Sequence, residues 1–226
     1  PDITAYVLLG LTEARRAGFL VDDSVMNRAV SSLKDYLDRE YYQTRQALDT
    51  RATVLYALAE AGKGDLGRAV ALYDERAKMS LYAKGYLAMA LQLMDPQERS
   101  RLNSLTTEFG NAALVSATGA HWEEAERAAW GMNTDTRTTA IVLRALLRIQ
   151  PDDGLLPQAV RWLMLARESG RWETTQENVW AILSLTDFMV AQGELIADYD
   201  YAVWLNGVEV ASDRVDDKNV DQPTIV

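Results

Sequence analysis

"GRWETTQENVWAIL", residues 170 to 183, places a turn, two tryptophans and a Thr-Thr-Gln-Glu run directly ahead of an apolar helical stretch. Whether this is a reactive cluster or a joint between helical hairpins decides how the rest of the chain is read. Gly170 suits the left-handed residue that ends a helix over "RWLMLARE", and Thr174 or Thr175 can cap a helix starting near Gln176. Trp172 is broad enough to cover the end of a ring of helices. Glu177 then falls in a first helical turn, where the helix dipole favours a carboxylate. Every residue has a structural task, so the stretch reads as a fastening between hairpins, with substrate contact as the alternative.

Working outward, the same helix, turn, helix unit recurs. Apolar residues from Ile3 to Leu11 fall at helical intervals and end near Gly18. Asp22 or Asp23 can cap a second helix whose stripe is Val25, Met26, Ala29, Val30, Leu33, Tyr36 and Leu37. "TRATVLYALAEAGKGDLGRAVALYDERAK", "LYAKGYLAMALQLMDPQERSRLNSLTTEF" and "TDTRTTAIVLRALLRIQPDDGLLPQAVRWLMLARE" repeat the pattern. Their leading helices, with "TAYVLLGL" and "ENVWAILSL" at either end, begin polar or small and finish at Leu11, Leu58, Leu91, Leu146 and Leu185. The intervals are 47, 33, 55 and 39 residues. Strict solenoid repeats hold one period, whereas a ring of paired helices tolerates unequal loops, each hairpin giving one inner and one outer helix. Four hairpins and a fifth leading helix are countable, so a ring of about six is expected to be incomplete on its N-terminal side.

The pattern lapses between Gly110 and Asn133, where Gly, Ser and Thr punctuation predicts an ordered loop or short strands capping one end of the ring. After Gly193 the period changes from 3.6 to 2. "YDYAVWLNGVEVASDRV" alternates, and Asn206-Gly207 is a strong tight-hairpin signal. The expected fold is mainly α: a partial α/α toroid over residues 1–195, followed by residues 196–226 as the opening strands of a β-sandwich.

Composition narrows the chemistry. The chain has 33 acidic against 23 basic residues, a formal charge of −10, and no basic cluster longer than "ARR", so nucleic acid is not an expected partner. Within these 226 residues there is no cysteine for a disulfide, a thiolate nucleophile or a sulfur-ligated zinc, and a single histidine, His121. No apolar run is long enough for a membrane span. Opening on Pro1 and ending on "DQPTIV", the chain reads as a segment of a longer protein.

The candidate reactive groups are few. Glu123, Glu124, Glu126, Asp135, Glu173 and Glu177 gather toward one end, and a hydrolase with two carboxyls about 5 to 9 Å apart could draw on them. The structural alternative is coincidence in an acid-rich chain. His121, ahead of Trp122, is either a general base or a histidine hydrogen-bonded in a loop. Asp152 and Asp153 in "PDDG" read as turn acids rather than metal ligands. No phosphate loop, GxSxG or HExxH occurs.

Several stretches together resemble the thioester-containing domain of the alpha-2-macroglobulin and complement family. They are "TAYVLLGLTEARRAGF" at 4–19, "HWEE" at 121–124, "TRTTAIVLRALL" at 136–147, "AVRWLMLARESGRWETTQENVWAILSL" at 159–185 and the strand-like "YAVWLNGVEV". The resemblance implies a helical ring inserted into a CUB-type β-sandwich, and a role as scaffold in a bacterial protease-trapping protein of the periplasm, cell envelope or exterior. Its implied partners are target proteases and neighbouring β-sandwich domains. The family's reactive centre, Cys-x-Glu-Gln, requires a cysteine this segment lacks, and is expected upstream of Pro1. Thus no catalytic, cofactor-binding or metal-ligating residue is assigned, no cofactor is expected, and no enzyme activity is expected of the segment.

Two other classes compete. A helical-barrel enzyme, glycosidase-like or terpene-cyclase-like, would use the Gly170, Trp172, Gln176 and Trp180 spacing, but the aspartate-rich motif of such cyclases is missing. A helical-repeat interaction module would form an open superhelix with a peptide groove.

Overall fold

The computed structural model describes residues 1–39, 43–124, 133–193, 198–216 and 218–219. Among them the chain forms α1 (Asp2–Arg16), α2 (Asp23–Leu37), α3 (Arg45–Glu60), α4 (Leu66–Asp74), α5 (Leu81–Met94), α6 (Arg99–Ala112), β1 (Leu114–Ser116), β2 (Gly119–His121), α7 (Asp135–Ile149), α8 (Leu155–Leu165), α9 (Thr175–Ala191), β3 (Tyr199–Leu205) and β4 (Val208–Val215). The helices start where short polar side chains take an orphan backbone amide. Asp22 accepts from Ser24 N, Thr44 from Ala47 N, Asp65 from Arg68 N and Thr134 from Arg137 N. Thr44 explains why α3 begins five residues before the repeating unit read from the sequence.

Two layers follow from hydrophobic patterning. α2 buries one stripe, Met26, Ala29, Leu33 and Leu37, as an outer helix should. By contrast α3 buries every residue from Arg51 to Glu60, α5 from Gly85 to Leu91 and α7 from Arg137 to Leu147, so these lie inside. The inner helices pack in succession, α1 on α3, α3 on α5, α5 on α7 and α7 on α9, and each of the first four also packs on the outer helix that follows it. Close approach needs small side chains: a Cβ on Gly85 would lie 2.8 Å from Ile141 Cγ2, so α5 meets α7 where the glycine leaves room.

The two terminal inner helices differ from the middle three. α1 leaves Ile3 and Val7 exposed, and α9 leaves Val179, Ile182, Met189 and Val190 exposed. Each has one apolar face with no neighbour among the described residues.

The lapse after α6 is a short antiparallel pair, with Leu114 opposite His121 and Ser116 opposite Gly119. It lies mainly against α8. Gly119 has φ +130°, and a Cβ there would come within 2.3 Å of Gln158 O, so only glycine lets the strand sit this close. The change of period after Gly193 is a second hairpin, β3 with β4, turning at Asn206 (φ 50°) and Gly207 (φ 83°). Both residues take the positive φ that the Asn-Gly signal implies. The boundary near Leu195 lies outside the described residues.

Candidate functional site

The inner helices deliver aromatic and charged side chains to one buried centre. Tyr6 comes from α1, Tyr56 from α3, Tyr86 from α5, Arg137 and Arg144 from α7 and Trp180 from α9. Tyr56 and Tyr86 stack with ring centroids 5.3 Å apart, and Trp180 tilts against both at 6.3 and 5.2 Å. Arg144 lies 5.9 Å from the Trp180 ring and donates to Tyr56 OH at 3.3 Å and to Asp187 on α9 at 2.6 Å. Five helices therefore converge side by side on shared partners.

Polar networks close the centre at both ends. Where the inner helices end, Glu60 of α3 is clamped from two sides. Arg148 of α7 donates to Oε1 at 2.8 Å, Tyr56 OH donates to the same oxygen at 2.7 Å, and Arg16 of α1 lies 2.6 Å from Oε2 while donating to the Glu60 carbonyl. Burial by itself would raise the Glu60 carboxyl, but Arg148, Tyr56 and Arg16 outweigh it and hold the group down at about 2. The same burial pushes the Tyr56 hydroxyl well above its ordinary range.

Where the inner helices begin, the buried charge is Arg137, and no carboxylate among the described residues pairs with it. It donates to Asn133 Oδ1 at 3.3 Å, to Tyr86 OH at 2.9 Å and to Tyr6 OH, and its guanidinium lies 4.7 Å from the Tyr82 ring centroid. Hydroxyl dipoles and π faces replace the missing counter-ion. The Thr138 hydroxyl stands between two acceptors for its one proton, Asn133 Oδ1 at 3.0 Å and Glu124 Oε1 at 3.1 Å.

Two of the acidic candidates, Glu177 and Glu124, are spent on helix termini. Glu177 completes a capping box: Thr174 Oγ1 accepts from Glu177 N at 3.1 Å and Glu177 Oε2 accepts from Thr174 N at 2.7 Å. Glu124 accepts from Leu81 N and Tyr82 N at 3.0 Å each, capping α5 across the fold. Glu123 lies 3.1 Å from His121 Nε2, Glu173 is exposed, Asp135 is half-buried in the first turn of α7, and Glu126 lies outside the described residues. Asp153 accepts from Leu155 N at 2.8 Å, the turn reading of "PDDG". His121 stacks flat on Trp162 of α8 at 4.6 Å.

Residues 170 to 183 make the joint between α8 and α9 that the fastening reading expects: Trp172 is buried, and its Nε1 donates to Leu163 O at 3.0 Å, which pins it to the outer helix α8. What the sequence reading missed is the axis itself. Its signals were Arg137 and Arg144, seven residues apart and so on one face of an otherwise apolar helix, and a tyrosine inside each of "TAYVLLGL", "RATVLYAL" and "AKGYLAMAL".

No protein-family model matches the sequence. An alpha-2-macroglobulin homologue from Nostoc sp. is 26% identical over 205 residues, which is 83% of this chain and 10% of that protein. Among solved structures, Salmonella alpha-2-macroglobulin reacted with methylamine matches 97% of this chain and 14% of its own, with a TM-score of 0.70 at 19% identity. Escherichia coli alpha-2-macroglobulin activated by porcine elastase matches 97% and 20%, with a TM-score of 0.63 at 19% identity. At such identities the likeness speaks for the fold, and the chain spans only about a tenth of the curated relative it matches. In sequence and in fold, the chain is alpha-2-macroglobulin-like.

Proposed function

We propose that the chain is scaffold in a protease-trapping protein of the alpha-2-macroglobulin type. Residues 1–195 would form part of the helical thioester-type domain, and residues 196–226 would open a CUB-like β-sandwich segment, consistent with the helix-to-strand change at the β3–β4 hairpin. The observation that carries this reading is the convergence of five inner helices on the Tyr6, Tyr56, Tyr86, Arg137, Arg144 and Trp180 centre, which an open superhelix with a peptide groove does not produce. On this reading a further helical hairpin of the parent covers the exposed apolar faces of α1 and α9, and the Cys-x-Glu-Gln centre lies upstream of Pro1.

The segment's task is rigidity. A strained thioester must be kept from water until proteolysis elsewhere moves its surroundings, and a closely packed centre gives a platform that shifts as one body. It turns over no substrate; the partners are the attacking protease and the parent's own β-sandwich domains, in the periplasm, envelope or exterior. The Escherichia coli relative activated by porcine elastase supports protease as the trigger.

The test uses the full-length parent. Incubated with elastase, it is expected to block digestion of a large protein substrate while a small peptide substrate is still cleaved. Prior treatment with methylamine should abolish covalent capture on a denaturing gel. Undiminished digestion of the large substrate would overturn the reading, as would turnover of an oligosaccharide that is lost on Glu177→Gln.

A further inference from the structure

Two carboxylates from distant parts of the chain meet at one helix terminus. α5 begins after Ser80. Asp49 of α3 accepts from Ser80 N at 3.0 Å and from Ser80 Oγ at 2.6 Å, and is buried. Glu124, three residues past β2, takes the next two amides, Leu81 N and Tyr82 N, together with Thr138 Oγ1. A helix N-terminus carries about half a positive charge, and here two acids share it. Glu124 closes the segment that contains Gly119, His121 and Trp122. The Trp122 end of that segment is anchored independently, with Nε1 donating to Phe109 O at 2.8 Å and the backbone amide donating to Thr139 Oγ1 at 3.0 Å.

The groups facing the two acids come from every neighbouring element. Arg45, in the first turn of α3, favours the ionised form of Asp49, while Glu124 opposes it. The Tyr82 hydroxyl of α5 senses Asp49, Arg137 of α7, Glu124 and Tyr6 of α1 together. No cation forms a direct ion pair with either acid among the described residues, so their mutual repulsion is offset mainly by the helix terminus.

We propose that Asp49 and Glu124 form a pH-sensitive latch: with Asp49 neutral, the segment 119–124 is held firmly on the α5 N-terminus, and ionisation of Asp49 weakens that hold by repulsion across the shared terminus. Burial is the largest influence on the Asp49 carboxyl; the Ser80 hydrogen bonds oppose it, the Glu124 charge adds to it, and the net rise is to about 6. The latch therefore loosens as pH rises through about 6.

Amide hydrogen exchange of the chain, followed at pH 5 and pH 8 and corrected for intrinsic chemistry, tests this. Opening of Leu81, Tyr82 and residues 119–124 is expected to be about three- to ten-fold more frequent at pH 8, the range given by half to one pKa unit of coupling. Asp49→Asn should remove the difference by holding the segment at both pH values. Equal protection in the unmodified chain, or an unchanged difference in Asp49→Asn, overturns the latch. Should that variant fail to fold, the carboxyl carbon of Asp49 in the unmodified chain and in Glu124→Gln decides. Its titration midpoint should fall when the Glu124 charge is removed, and an unmoved midpoint sinks the proposal.

Discussion

The two ends of the helical centre solve the problem of buried charge in opposite ways. Where α1, α3 and α7 end, one carboxylate, Glu60, meets two arginines, Arg16 of α1 and Arg148 of α7, and the Tyr56 hydroxyl of its own helix, so the buried carboxylate is paired directly with opposite charge. Where the helices begin, Arg137 has hydroxyls, an amide oxygen and the Tyr82 face, and the nearby acids Asp49 and Glu124 are spent on α5. The lesson is that a matched pole acts as a rivet, whereas an end whose charges are balanced through dipoles and bridging side chains stays adjustable. Breaking a buried pair by removing one partner costs far more than replacing a whole polar group by an apolar one.

The largest effect is expected midway between the two ends. Trp180→Ala empties the ring that spans both ends against Tyr56, Tyr86 and Arg144, and should cost about 3 to 5 kcal/mol in chemical denaturation. A smaller loss would mean the two ends fold independently. Next comes the rivet: Glu60→Ala leaves Arg16 and Arg148 facing each other across a vacated site, and about 2 to 3 kcal/mol is expected, below the fully buried figure because both arginines reach solvent. Arg137→Met at the other end should fall within about 1.5 kcal/mol of neutral, since a methionine fills similar volume and no carboxylate is stranded. If Arg137→Met costs more than Glu60→Ala, the contrast fails. Thr174→Ala, which opens the capping box away from both ends, should cost about 1 kcal/mol and shift the melting temperature least.

Acidity separates the ends by sign. Glu60 has a lowered carboxyl, so its contribution is present above the ordinary carboxylate range and is lost as pH falls through about 2. Asp49 has a raised carboxyl, so its contribution is present below the ordinary range and is lost as pH rises through about 6. Denaturation midpoints measured from pH 3 to pH 8 should therefore lose their low-pH slope in Glu60→Gln and their slope between pH 4 and pH 6 in Asp49→Asn. Identical profiles in the two variants would refute the assignment of opposite signs.

Much of the architecture was legible. The alternation of all-round apolar helices with single-stripe helices marks α3, α5 and α7 as inner and α2 as outer, and Asn206-Gly207 fixes the second hairpin through its demand for positive φ. The fastening at residues 170 to 183 was legible down to Thr174 and Glu177, because a capping box is a contact between residues three apart. The destinations of Trp172, Glu124 and Arg137 were not, because each depends on which distant helix stands opposite: Leu163 on α8, Leu81 on α5, Tyr6 on α1.

Neighbours along the chain thus settle local matters: where helices begin and stop, which of them are greasy on every side, and that no thiolate or histidine cluster exists within these 226 residues to carry chemistry. Which side chains share the centre, and which acids share a helix terminus, emerges from long-range packing. The difference is one of range. Caps, turns and stripes are set by neighbours within a few residues, while Arg137 bonding to Tyr6 joins positions 131 residues apart, a meeting that no local spacing encodes and only the packing of α1 against α3, α3 against α5 and α5 against α7 brings about.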